Sequence, residues 1–178
     1  MTTTADARLE VVRAAPRDEG TVELIVRRPA VDEREVVDEA ELDLEEGLVG
    51  DNWRARGRSG GRRPANPDAQ ITVMSSRAIA LAAGDRDRWA LAGDQLYLDL
   101  DLSGDNLPPG TRLEVGSAVI EVTAEPHTGC KKFAARFGLE TLAQRREVDD
   151  DGLEELGDSR GDVGVDGAGG DGLHIGHV

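Results

Sequence analysis

The chain has 178 residues, one cysteine, three histidines and a net charge of −15. That length suits one domain with a real core and is short for two, and the acidic balance argues against nucleic acid or an anionic membrane surface as a partner. A lone cysteine cannot close an internal disulfide, residues 1–15 hold no signal-peptide core, and no later run is apolar enough to span a bilayer, so the expected location is cytoplasmic.

Residues 1–19 are polar and irregular, and are expected to form a loose lead-in. Residues 21–28 then alternate, with Val22, Leu24 and Val26 on one face and Glu23, Ile25 and Arg27 on the other, which is a strand pattern ended by Pro29. A second short strand is expected within 34–40, around Val36 and Val37. Gly47 and Gly50 bracket Leu48 and Val49 and deliver Asp51 close to Trp53, a turn with an anchoring tryptophan. Residues 54–63 follow with five arginines and no acid, spaced by Gly57, Gly60 and Gly61. Such a stretch reads first as a solvated, mobile loop. It is also a concentrated positive charge in an acidic chain, and the guanidinium forks of Arg62 and Arg63 suit phosphate oxygens.

Residues 70–74 form a short apolar strand. Ser75 or Ser76 then caps a helix bearing Ala78, Ile79, Leu81 and Ala82 and stopped by Gly84. Around Trp89, residues 85–91 can add another helical turn. The clearest alternation runs over 95–102, with Leu96, Leu98, Leu100 and Leu102 inward and Tyr97, Asp99 and Asp101 outward. Asp99, Asp101, Ser103, Gly104 and Asp105 imitate the start of a calcium loop. The imitation fails, because the position needing a bidentate glutamate is Gly110. Residues 111–115 and 118–123 form a hairpin across Gly116-Ser117. Several short strands, few aromatics and peripheral helices predict a mainly β domain with short helices, curled into a barrel.

The second hairpin strand leads into Glu125-Pro126-His127-Thr128-Gly129-Cys130-Lys131-Lys132-Phe133-Ala134-Ala135-Arg136-Phe137-Gly138, which holds the single cysteine and the only two lysines. Pro126 opposes a helix over His127, and Gly129 permits a sharp turn. A short helix then packs through Phe133 and Phe137, one turn apart, and stops at Gly138. Cys130 falls at its first turn, where Lys131, Lys132 and Arg136 favour a thiolate. The competing reading is a small buried hydrophobe, and spacing leaves both open. After a helical continuation over 139–146, residues 147–178 carry ten acids, one arginine and nine glycines. This tail reads as disordered. Within it, Arg160-Gly161-Asp162 and the pair His174 and His177 read as chance.

The string from His127 to Gly138 resembles the cysteine motif of the MOSC domain family, the molybdenum-cofactor sulfurase C-terminal domain. Glu46-Gly47-Leu48-Val49-Gly50-Asp51-Asn52-Trp53 resembles the same family, as does Gly93-Asp94-Gln95-Leu96-Tyr97 running on to Asn106-Leu107-Pro108-Pro109-Gly110. The three motifs occur in the family's order and the similarity covers about 20–144, as in small stand-alone bacterial members. The resemblance implies a MOSC-type β-barrel over 20–146, flanked by the lead-in 1–19 and the tail 147–178. Relatives close the barrel with strands around an Arg-Gly-Ile or Arg-Gly-Val stretch, and with 147–178 read as disordered the barrel is left incomplete at its C terminus.

The implied cofactor is the molybdenum cofactor, molybdopterin. Cys130 would be the metal ligand, since thiolate is a soft donor, and His127 a nearby proton donor. The implied cofactor-binding residues are Asp51, Arg62, Arg63, Asn106, Lys132 and Arg136. Some family members reduce N-hydroxylated bases and amidoximes, which here would require a separate redox partner protein. A different class of function is a sulfur carrier with a Cys130 persulfide and no turnover. In that case the partner would be a cysteine desulfurase, the only link to pyridoxal phosphate, and one made by family association alone. The remaining reading is a remnant barrel with an acidic interaction tail.

Overall fold

The computed structural model describes residues 4–58, 61–126, 131–138, 161–166 and 174–177. In chain order the elements are α1 (Thr4–Arg13), β1 (Glu19–Arg27), β2 (Glu35–Val37), the two-stranded pair β3 (Leu42–Asp43) and β4 (Gly47–Leu48), α2 (Trp53–Arg56), β5 (Ile71–Ser75) and α3 (Ser76–Ala83). A 3₁₀ segment at Arg86–Ala92, β6 (Leu96–Asp99), β7 (Arg112–Val115), β8 (Ala118–Pro126), α4 (Lys131–Phe137), β9 (Gly161–Asp166) and β10 (His174–His177) follow. The chain is mainly strands with short helices, as expected.

Local chemistry accounts for several boundaries. The hydroxyl of Ser75 accepts the amide of Ala78 and so caps α3, while Gly84 at φ +71 ends it. Val115 pairs with Ala118 across Gly116-Ser117, and Gly116 supplies the positive φ the turn needs. In α4, Phe133 is buried and its ring meets that of Phe137 at 4.7 Å and 52°. A tilted aromatic pair of this kind adds about 1 kcal/mol beyond its burial. Gly138, at φ +92, donates to Ala134 O and closes the helix.

Eight strands form one sheet in the order β10-β7-β8-β9-β5-β6-β1-β2, and β10 pairs on its other side with β1. All pairs are antiparallel except β5 with β6, whose parallel register Val73↔Leu96 is bridged by α3 and the 3₁₀ segment. A register shift between Val22 and Leu24 interrupts β1. This bulge changes the phase of the alternation, so Val22 and Ile25 face one apolar cluster while Leu24 and Val26 face the other. The first cluster, built on Ile71, Leu98, Leu100 and Ile120, lies among the strands. The second joins Val26, Met74 and Tyr97 of the strands to Ile79, Trp89 and Phe133 of the helical pieces.

Three expectations need correction. The described part of the lead-in, residues 4–19, is not irregular: it contains α1, and Arg77 Nη1 reaches Val11 O while Asp101 N donates to Pro16 O. Its charged composition hid a helix that these contacts secure. Tyr97 is not outward but fully buried, with its hydroxyl donating to Trp89 O at 2.9 Å, because the helical pieces cover that face of β6. Nor is the tail 147–178 without structure, or the sheet without late strands. β9 lies between β8 and β5, with Val163 opposite both Val122 and Ile71, and β10 lies between β7 and β1. Val163 and Val165 alternate with Asp162, Gly164 and Asp166, a strand pattern hidden within the glycine-rich composition. The other tail residues lie outside the described ones. Among the described residues, no helix is long and apolar enough to cross a membrane.

Candidate functional site

The Gly47 to Trp53 stretch owes its shape to its two glycines. Gly47 sits at φ +71, where a Cβ would meet Gln70 O at 3.2 Å, and Gly50 sits at φ +84 against the Arg27 side chain. The chain turns back on itself (Asp51 N to Leu48 O, 3.0 Å) and buries Leu48 and Trp53. The carboxylate of Asp51 ends up wholly below the surface. It accepts Nε and Nη2 of Arg28 at 2.7 and 2.9 Å, and the amides of Arg28 and Trp53 at 2.9 Å each. Both oxygens are thus taken up by the protein itself, and Asp51 holds the loop to the end of β1.

Arg28 continues the chain of contacts. Its Nη1 donates to Gly93 O at 2.8 Å, at the turn that follows the 3₁₀ segment. Two other basic groups meet the same turn. Arg136 Nη1 donates to Leu91 O at 2.7 Å, and Arg34 Nη2 lies 3.3 Å from where a Gly93 Cβ would be. Carbonyls at the C-terminal end of a helical turn attract cations, which accounts for the convergence.

Asp32 lies across this group, in the loop between β1 and β2. Its Oδ1 accepts Lys132 Nζ at 3.1 Å and Arg136 Nη2 at 3.2 Å. The Lys132 hydrogen bond, then its charge, hold the Asp32 carboxyl below the usual carboxylate range. Arg34 is half-buried, and burial first, then the neighbouring Arg136 and Arg28, push its guanidinium below the ordinary arginine value. Asp32 is the only non-glycine residue with positive φ among the described residues, at +62.

The described arginines of the basic stretch 54–63 are exposed, as expected of a solvated loop, yet its backbone is partly regular. α2 opens it, and Arg58 and Arg63 form an antiparallel bridge by mutual backbone hydrogen bonds of 2.9 and 3.2 Å. Gly57 is required there, since a Cβ would stand 2.4 Å from Arg63 O. Arg62 and Arg63 present exposed side chains. Arg58 reaches Glu125 of β8 at 3.7 Å, which brings the stretch beside the strand that enters the cysteine motif.

The expected site residues therefore divide. Lys132 and Arg136 share one carboxylate and adjoin the loop that Asp51 anchors through Arg28. Arg62 and Arg63 lie on the neighbouring basic stretch. Asn106 is engaged elsewhere: its amide nitrogen donates to Arg17 O and Asp101 O, both at 2.9 Å, and ties the N-terminal segment to the loop after β6. Cys130 and His127 lie outside the described residues, between the end of β8 and the start of α4. Sequence reasoning missed Arg28, Asp32 and Arg34. No periodicity marks them, and the only available signal was charged residues flanking the Pro29 break. Among the described residues, no three His, Cys, Asp or Glu side chains cluster closely enough to hold a metal ion.

No protein-family model matches the chain, and no curated protein matches its sequence. Solved structures do. The crystal structure of the YUAD protein from Bacillus subtilis aligns with a TM-score of 0.57 at 18% identity, over 88% of this chain and 94% of that one. A crystal structure of a hypothetical protein aligns at 0.55 and 20% identity, over 94% of this chain and 70% of that one. YiiM from Escherichia coli aligns at 0.49 and 19% identity, over 89% and 69%. The first two show a shared fold, at identities that carry no activity with them.

Proposed function

We propose that the chain is a MOSC-type barrel domain that binds molybdopterin next to Cys130 and acts as a reductase of N-hydroxylated compounds. The observation that carries this reading is the convergence of two of the resembling motifs on one place. The Asp51 loop, through Arg28, and the Gly93 turn meet beside α4, the helix that directly follows Cys130. The shared fold supports it, and the pairing of β10 with both β7 and β1 supports the barrel.

The donor set suits the two ends of the cofactor. Cys130 would supply the soft thiolate for the metal. Lys132 and Arg136 would face the phosphate with charge-assisted hydrogen bonds, and the exposed Arg62 and Arg63 would add to the attraction. When bound, molybdenum supplies two-electron redox chemistry. The chain's own part would be to orient the cofactor through these cations and to provide a proton near neutral pH from His127. Electrons would come from a separate protein.

Metal and pterin analysis of the native protein is the test, with Cys130→Ser as the control. The wild type is expected to carry molybdenum and a pterin and to turn over an amidoxime with a flavoprotein donor. The serine variant keeps its melting temperature but loses the metal, since an alcohol is a poor soft-metal ligand. A sulfane sulfur on Cys130 without molybdenum would replace this reading with the sulfur-carrier one. A metal-free wild type without sulfane sulfur would end both.

A further inference from the structure

Two cations meet at Asp32 and a third lies close enough to feel its charge, with one carboxylate found between them among the described residues. Lys132 Nζ and Arg136 Nη2 share the same oxygen, Oδ1. Arg34 sets its Nη2 against Gly93, within reach of the charges of Arg136 and Asp32, with its Nε buried and without a hydrogen-bond partner and its Nη1 donating to the neighbouring Glu33 O. The fourth cation, Arg28, does not relieve the imbalance, because Asp51 already neutralises it. In a chain of net charge −15, a local excess of positive charge around a buried, unmatched N–H is a costly arrangement to keep without a purpose.

The carboxylate is paired, but at the surface. Asp32 is mostly exposed, at 59%, and its backbone holds the left-handed conformation that aspartate tolerates better than most residues but not freely. It sits in a turn closed by Glu33 N to Ala30 O at 3.2 Å, so it can leave without unpairing a strand. A planar carboxylate uses one oxygen here. A tetrahedral oxyanion has enough acceptors to serve Lys132, Arg136 and Arg34 Nε together.

We propose that Arg34, Lys132 and Arg136 form a phosphate-binding site and that Asp32 is an internal stand-in, displaced when the phosphate group arrives. The inference rests on the molybdopterin reading only for the source of that phosphate. Arg34 fixes the oxyanion from the buried side, Lys132 and Arg136 hold it from the exposed side, and Asp32 lowers affinity for any ligand too weakly charged to replace it.

Calorimetric titration of the cofactor-free protein with inorganic phosphate, at constant ionic strength, tests this. Wild type is expected to show one saturable site. Asp32→Asn removes the competing charge while asparagine keeps the backbone conformation, so phosphate should bind several-fold more tightly. Arg34→Gln should weaken binding roughly tenfold, the loss of one charge-assisted contact. Arg34→Lys should fall between, since a point charge cannot reproduce the fork. Thermal melting confirms that each variant is folded, and should Arg34→Gln unfold, Asp32→Asn and Arg34→Lys decide the matter. Unchanged affinity in Asp32→Asn or in a folded Arg34 variant overturns the proposal. If phosphate behaves as expected but the native protein carries no molybdopterin, the site stands and serves another phosphate ester. If molybdopterin binds while phosphate is indifferent to these changes, the inference fails and the cofactor reading survives.

Discussion

Arg28 and Asp51 meet as a two-pronged ion pair beneath the surface, with side chains 5% and 0% exposed. A guanidinium and a carboxylate matched in this way leave neither charge stranded, and the remaining lone pairs of Asp51 are filled by two backbone amides. The pair joins the end of β1 to the loop before α2 and, through Gly93, to the turn before β6.

Removing one partner should therefore be far worse than removing both. Asp51→Ala is expected to destabilise the protein by about 3–5 kcal/mol, because it strands a buried guanidinium. The double variant Arg28→Met with Asp51→Leu should recover a large part of that loss. Urea denaturation of the three proteins measures it, and a loss under about 1 kcal/mol in Asp51→Ala would show that the pair is solvated after all.

The C-terminal strands make a second prediction. A chain cut before Gly161 loses β9, which stands between β5 and β8, and β10, which stands between β7 and β1. Four strands would then expose unpaired backbone groups, and the shortened protein should show no cooperative thermal transition and should aggregate. Circular dichroism on the truncated chain checks this. A sharp melt at the wild-type temperature would mean that the two strands contribute nothing.

Acid should loosen the loop that carries Asp32 from its base. Arg27 Nε donates to Glu35 Oε2 at 2.9 Å across β1 and β2, and this hydrogen bond depresses the Glu35 pKa. A carboxylate whose folded pKa lies below its unfolded one contributes stability above the unfolded value, near 4.5. That contribution disappears as the pH falls through the lower folded value. Both side chains are exposed enough for screening, so the effect is small and salt-sensitive. Amide hydrogen exchange of Val36 and Val37, normalised for the intrinsic acid dependence, should show less protection below that window. A Glu35→Gln variant should show the weaker protection at every pH.

The sequence was informative where one residue type answers one local need. The stops at Gly84 and Gly138 and the turn at Gly116 could each be placed from their chemistry alone, and the cap of α3 narrowed to Ser75 or Ser76. It was misleading where the partner is remote. Tyr97 has the polar hydroxyl of an outward residue, yet it is buried because Trp89 supplies a carbonyl and α3 a cover. Val163 and Val165 were lost among glycines and aspartates, since strand pairing with Ile71 and Val122 is a long-range matter. The same holds for the candidate site. Lys132 and Arg136 could be named from the motif, but Asp32 is 100 positions from Lys132, and nothing in its own neighbourhood signals that partner.

The position of β9 and β10 also governs how the chain must be made. Translation delivers β1, β5, β6, β7 and β8 long before their neighbours, so the nascent chain leaves the ribosome with two vacant slots among its strands. Among the contacts that fill them, Glu19 with Gly176 spans most of the chain and Ile71 with Val163 about half of it, the class that forms slowly. Until β9 and β10 clear the exit tunnel, the earlier strands have edges open to any other nascent polypeptide, and chaperone engagement during synthesis would be of most value then.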